Sequence, residues 1–389
     1  MKHCQRLLGI VWWGLMGACS VGAAEPAANV FERPLFEGES LAGWIVENGA
    51  EVDFVDGCLR LKAGNGWLRS VEEFRDFSLH VEWQALQAQD YDAGIYIRTA
   101  KTGVPFPSPS YQINLLEGKE GNIGNLLGAT SKGLIKPQGE WNTFDMRVLG
   151  DAVSLEINGR PAYTVAGLQA RQGHIGFQIE VPKGGQFLIR NVRLVEWGYR
   201  PLFNGRDLSG WVGEGGPMEA CWRVEDGCLV CTGAKGPWLR SLEEFDDFHL
   251  RLDYLVSAGG NSGIYVRVPR NGNHHRASEQ EPPAGFEVQV LDDAAPQYAA
   301  LKPYQYSASV YDICGAAPRV SRPPGEWNTL EILCRGQHVT TRHNGVTVVD
   351  ARVEEFPLLS LRQTKGYLGL QNHSTVVKFR NLRIGPAFE

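Results

Sequence analysis

The 389-residue sequence has no surplus of positive charge: Lys and Arg number 38 against 44 Asp and Glu, a formal net charge of −6. Without a basic stripe to neutralise phosphates, nucleic acid is excluded as the main partner, and a neutral or polar ligand fits better. Past its first residues the chain lacks any apolar run near the roughly 18 residues that a membrane span requires. Long amphipathic helical patterns are absent. So are HExxH, GxSxG, the Walker phosphate loop and the dinucleotide fingerprint, which removes several standard enzyme classes and any need for a nucleotide. Charged residues at 21% and hydrophobic residues at 43% leave no room for a disordered chain.

What is present begins with MKHCQRLLGIVWWGLMGACSVGAAEPA: a basic start, an apolar run from Leu7 to Met16, then small residues. This predicts a Sec signal peptide over residues 1–24, cut after Ala23 or Ala24, and a periplasmic or secreted protein. Cys19, following Met16-Gly17-Ala18, offers a lipoprotein alternative. In the body of the chain Cys58, Cys221, Cys228, Cys231, Cys314 and Cys334 read mainly as small buried hydrophobes, although a hairpin turning at Glu225-Asp226-Gly227 would set Cys221 opposite Cys231. Cys228-Leu-Val-Cys231 has no second CxxC with which to complete a zinc knuckle.

The chain repeats itself. RPLFEGESLAGW, ending at Trp44, returns as RPLFNGRDLSGW, ending at Trp211. The match continues in order through VDGCL and EDGCL, WLRSVEEFRDF and WLRSLEEFDDF, AGIYIR and SGIYVR, GEWNT twice, ING and HNG, GHIGFQ and GYLGLQ, IRNVRL and FRNLRI. Solenoid repeats run to only about 20–50 residues, so this longer period means tandem domains, residues 30–197 and 199–389. A join as short as Trp197-Gly198-Tyr199 predicts that the two pack on each other.

Within each unit hydrophobicity has a period of two, as in Ser78–Trp83, Ile264–Val268, Phe286–Leu291 and Val376–Ile384, with turn signals at Asp56-Gly57, Asn158-Gly159 and Asn344-Gly345. The prediction is all-β: two tandem jelly-roll sandwiches, because a single sheet of so many strands would leave a face and two edges unprotected.

In the second unit polar side chains gather on strands: Asn261, Arg267, Glu287, Gln289, Asp292, Tyr311, Asp312, Asn372 and His373. Glu287 and Gln289 share one strand face, opposite Val288 and Val290. A solvated sheet face is the plainer reading of that local pattern, but the two copies differ where it matters. Tyr111–Glu117 falls where the second copy has Phe286–Asp292, so Gln112 stands for Glu287, Asn114 for Gln289 and Glu117 for Asp292. Tyr311-Asp312 has no match before Lys136, and His373 meets Glu180 or Val181. The first unit therefore reads as a non-catalytic relative. Trp141, Trp327, Asn191, Asn381, Phe245 and Phe248 read as structural; Arg98 and Arg267 occur in both units, so Arg267 is also a candidate brace. His274-His275 reads as a solvent-exposed pair in a loop.

NSGIYVR, GFEVQVLDD, SVYDI, PPGEWNTLEI, HNG and GYLGLQNHSTVVKFRNLRI resemble the 3-keto-disaccharide hydrolase family, over residues 200–387 and more weakly over 33–197. The resemblance implies a concanavalin A-like jelly roll in an exported protein acting on glycosides that carry a ketone at carbon 3. That ketone acidifies the proton on carbon 2, and the glycosidic oxygen on carbon 1 is then a β leaving group. Such a site needs a base, an acid and donors for the enolate oxygen, with water addition if the net result is hydrolysis.

The expected roles are Glu287 and His373 as acid and base, Asp292 as orienter, and Asn261, Arg267, Gln289, Tyr311, Asp312 and Asn372 as substrate contacts. A divalent metal ion on Glu287, Asp292 or His373 would suit the enolate, without a spacing that demonstrates it. A two-carboxylate glycosidase built on Glu287 and Asp292 fits poorly. Five residues of strand separate them by roughly 16 Å, beyond the roughly 5–9.5 Å that such enzymes use. The rival reading is a tandem carbohydrate-binding module, since jelly rolls serve lectins as readily as enzymes.

Overall fold

The computed structural model describes residues 29–388 apart from 138 and 185; the expected signal peptide and Cys19 lie outside the described residues. The chain is almost entirely β, with four antiparallel sheets and only short helical turns. Strands from Val30–Pro34 to Phe187–Trp197 build two of the sheets, and strands from Arg200–Pro201 to Val376–Gly385 build the other two.

Alternation of side chains decides how the sheets face. Along Phe77–Ala85 burial alternates residue by residue, with Phe77, Leu79, Val81 and Trp83 turned inward. Each half closes around its own apolar cluster, the first including Phe77, Phe144 and Phe177, the second Phe248, Val288 and Phe379. The larger sheet of the second half runs Trp222–Glu225, Cys228–Thr232, Val376–Gly385, Phe248–Val256, Asn328–Arg335, His338–His343, Val346–Ala351, with Arg200–Pro201 beside Val376–Gly385. The smaller runs Trp211–Glu214, Trp238–Phe245, Gly366–Leu370, Asn261–Val268, Phe286–Leu291. The first half repeats both orders strand for strand.

Turn chemistry fixes the local register. Asp226 and Gly227 both take the left-handed conformation between Trp222–Glu225 and Cys228–Thr232. That hairpin pairs Cys231 with Trp222 and not with Cys221, which corrects the expected register; the six cysteines among the described residues are free thiols. Asn191 and Asn381, also left-handed, sit where the long strands Phe187–Trp197 and Val376–Gly385 slip register against their neighbours. Trp141 and Trp327 are only half-buried, each with an arginine, Arg190 and Arg380, over its ring at 3.8 and 3.9 Å.

A buried ionic cluster joins the outer face of the second half's larger sheet to the first half. Arg251 donates to Glu196 at 2.6 Å and lies 2.9 Å from Glu72, while Arg383 reaches Glu72 and Glu196, both at 2.6 Å. Burial alone would raise the Glu72 carboxyl, but Arg33, Arg383 and Arg251 hold it well below the usual carboxylate range. Arg342 pairs with Glu73 at 2.6 Å on the rim.

Candidate active site

Asn261–Val268, Phe286–Leu291 and Gly366–Leu370 are neighbours in the smaller sheet of the second half. Val288 and Val290 enter the core and turn Glu287 and Gln289 to the other face, as the period of two requires. That face is not simply wet: every residue of Phe286–Leu291 is buried. The following loop closes this strand's free edge. Ala308 N donates to Gln289 O at 2.8 Å, Gln289 N to Ser309 O at 3.0 Å and Tyr311 N to Glu287 O at 2.9 Å, which brings Tyr311 and Asp312 alongside Glu287.

Between these walls lies a cleft of about 250 Å³. Its lining includes Asn261, Gln289, Gln305, Gln371, Tyr298 and Tyr311, together with Glu287, His274, His275 and His373, and no Lys or Arg. Several of the neutral groups are held in place: Gln289 donates to Asn261 at 3.0 Å, Gln305 to the Tyr311 hydroxyl at 2.7 Å and Gln371 to the Tyr265 hydroxyl at 3.2 Å. Amides and phenols without a cation recognise hydroxyl-rich neutral molecules, not anionic ones.

Glu287 is the titratable centre. Gly263 on the neighbouring strand makes room for it, because a Cβ there would overlap the carboxyl group. Burial first, and the Asp312 charge second, push its carboxyl up to about 8, so it holds a proton at neutral pH. Oε2 lies 3.2 Å from His274 Nε2. Nδ1 of His274 is 2.9 Å from Gly272 O, an acceptor only, so Nδ1 carries the hydrogen and Nε2 faces Glu287 with its lone pair. The ring stacks on Tyr265 with centroids 4.7 Å apart, and burial lowers the imidazole's proton affinity. Glu287 thus holds a proton within 3.2 Å of an imidazole nitrogen that can receive one, which is the setting of a buried acid.

The structure brings together Asn261, Glu287, Gln289, Tyr311 and His373 around the cleft, with Asp312 just behind Tyr311. It does not bring in Asp292, Arg267 or Asn372. Asp292 is buried where its carboxylate accepts from Gly259 N at 2.8 Å and Ala294 N at 3.3 Å, which shapes a turn. Arg267 donates to Asp246 O at 2.7 Å, to Gly336 O and to Asp247 at 3.0 Å; Arg98 makes the same three contacts with Arg75 O, Gly150 O and Asp76. It is a brace common to both halves and not a substrate contact. Asn372 accepts from Cys231 Sγ and Ser374 N and donates to Ala234 O, so its side chain is spent on the chain itself.

His274 was expected in solvent but forms a wall of the cleft, because loop 269–285 folds back over Tyr265. Its signal was in the copy comparison: the loop at the same place in the first half, AKTGVPFPSPS, holds no histidine. Gln371 was likewise missed, since Gln178 takes its place in the first half and the two look unchanged. Among the described residues no three His, Cys, Asp or Glu side chains are placed to hold a metal ion.

A model of the 3-keto-alpha-glucoside-1,2-lyase-like domain family matches residues 32–195 and again residues 198–385. A 3-keto-disaccharide hydrolase of Bacteroides thetaiotaomicron is 28% identical over 225 residues, covering 48% of this chain and 78% of that protein. Among solved structures, a candidate glycosyl hydrolase of Parabacteroides distasonis is 27% identical, covering 48% of this chain and 98% of that one, with a TM-score of 0.39. Another from the same organism is 25% identical over 49% of this chain and 94% of its own, with a TM-score of 0.40.

Proposed function

The chain belongs to the family of 3-keto-alpha-glucoside-1,2-lyase-like domains, twice over, and on that premise we propose that its second half cleaves neutral 3-keto-glycosides or 3-keto-disaccharides. The reaction is β-elimination across carbons 1 and 2, followed by water addition where the outcome is hydrolysis. One observation carries the reading: a buried carboxylic acid, neutral at pH 7 and 3.2 Å from His274 Nε2, opens onto a polar cleft that has no cation in its lining. Glu287 supplies the proton that the departing glycosidic oxygen needs, with His274 Nε2 beside it as acceptor, and the added water returns a proton to Glu287. Amides of Asn261, Gln289, Gln305 and Gln371 meet the sugar hydroxyls. The 28% identical 3-keto-disaccharide hydrolase supports the same substrate class. We further propose that the protein is exported and that the two halves work as one body, the first lending its surface and not its chemistry.

The test is to incubate the protein with 3-keto-trehalose or a 3-keto-glucoside and follow the products by mass spectrometry. A 3-keto-glucose or 2-hydroxy-3-keto-glucal product is expected. No product across a panel of keto and ordinary glycosides, alongside retention on a glycan column, would overturn the reading in favour of a binding module.

A further inference from the structure

We propose that His275, held by Asp312, is the base that removes the proton from carbon 2, so that the two consecutive histidines serve two separate carboxyl groups. This rests on the keto-glycoside reading above. Nδ1 of His275 lies 2.7 Å from Asp312 Oδ2, and its ring lies 4.0 Å from that of His274 and 5.7 Å from that of Tyr311. A carboxylate on Nδ1 fixes the hydrogen there and leaves the lone pair on Nε2. Among the described residues no group bonds that nitrogen, and His275 is one of the cleft's lining residues. Asp312 does not line the cleft and has left-handed backbone, φ 61°, at the end of the segment that pairs with Glu287 and Gln289. It is a positioning residue: its shape is set by the turn and its carboxylate by the imidazole.

The division of labour follows from what each pair can carry. Glu287 is buried, with His274 Nε2 3.2 Å from its carboxyl group, which makes an acid. His275 and Asp312 are about half-exposed, with side-chain exposures of 51% and 38%, and end in an unprotonated nitrogen, which makes a base. In the elimination the C2–H bond breaks, its proton goes to His275 Nε2 and its electron pair forms the C1–C2 double bond. The C1–O bond breaks, its pair stays on the leaving oxygen, and that oxygen takes the proton of Glu287. When water adds, its oxygen bonds C1, one of its protons passes to Glu287, and the proton on His275 returns to C2. Both pairs regain their starting state without an oxidant or reductant.

The experiment separates the base from the acid with 1,5-anhydro-3-keto-glucitol, a 3-keto sugar with no leaving group, in D₂O. Wild-type protein should exchange the C2 hydrogen for deuterium, read by NMR, because half-exposed His275 trades its proton with solvent. His275→Ala should lose that exchange by about 100-fold or more, and added imidazole should restore part of it, which excludes a folding defect. Glu287→Gln should stop cleavage of 3-keto-trehalose while still exchanging C2. Asp312→Asn should slow exchange with KM unchanged, and Asp312→Glu should recover part of the loss. Exchange that survives in His275→Ala, or wild-type cleavage without any exchange, overturns the assignment while leaving the proposed activity standing. Neither cleavage nor exchange by the wild type sinks the activity itself.

Discussion

Glu287 and Gln112 occupy one position in the two halves of the chain: Glu287 pairs across the sheet with Tyr265 and lies over Gly263, and Gln112 pairs with Tyr96 and lies over Gly94. In the first half Gln112 donates to Gln178, whose own amide donates to Glu180 at 2.7 Å. Gln371, the counterpart of Gln178, instead turns its amide to Tyr265, and its Oε1 has no partner. The same backbone thus carries a closed amide pair in one copy and a protonated acid in the other.

Removing the acid should end turnover. Glu287→Gln is expected to lower kcat on a 3-keto-glycoside by about 100-fold or more, measured by product formation with the variant's melting curve recorded alongside. Gln112→Glu should create no second active site, since no histidine stands beside it; titrating turnover per chain in that variant checks this.

The pH dependence has a definite sign. A carboxyl pushed up to about 8 is protonated below that value, so the rate should hold through neutrality and fall as pH rises above about 8. Stability moves oppositely to the usual carboxylate. Below the ordinary value of 4.5 the group is neutral folded and unfolded; as pH rises from there the unfolded chain ionises while the folded one cannot, and the cost levels off above about 8. Glu287→Gln should therefore be more stable than the parent at pH 7, by on the order of 3 kcal/mol, in a denaturant titration. Equal stability at pH 7 would mean that the carboxyl is not held neutral.

Arg267 gives the opposite outcome. Arg267→Met removes a buried guanidinium from two carbonyls and the Asp247 carboxylate and should cost about 3 kcal/mol, while the protein that remains folded keeps its KM for a 3-keto-glycoside. A selective rise in KM at unchanged melting temperature would put Arg267 back among the substrate contacts.

Between the halves, Arg251→Met leaves Glu72 and Glu196 short of a partner and should cost about 3 kcal/mol, seen as earlier melting and as proteolysis that releases separate halves. Burial alone would raise Glu331, but Arg251 and the bond from His249 bring it down to about 2. Depressed carboxyls contribute stability above their unfolded values that is lost as pH falls through the folded ones. Melting temperature should thus begin to drop below about pH 4.5 and continue falling towards about pH 2.

Much of this was legible in the linear chain. Period-two alternation with Asx-Gly turns identified strands and their inner faces, since a side chain's face is fixed by counting. Comparing the copies singled out Glu287 and Gln289 for the same reason: the register that pairs Tyr265 with Glu287 is also the one that pairs Tyr96 with Gln112. Asp292 and Arg267 misled because charge on a strand says nothing about which way the chain turns at its end. Arg267 lies at a register slip and left-handed φ of 51° that carry it to three fixed acceptors.

What the sequence alone determined, then, is the repeat, the sheet content and the identity of the carboxyl that differs between copies, because these depend on local pattern and internal comparison. Only the tertiary structure decided that loop 269–285 lays His274 against Glu287, that residues 306–312 bring Asp312 to His275, and that the carboxyl loses its water. Each of these depends on chain segments meeting across a loop, and the energy that holds a proton on Glu287 at neutral pH arises from that enclosure.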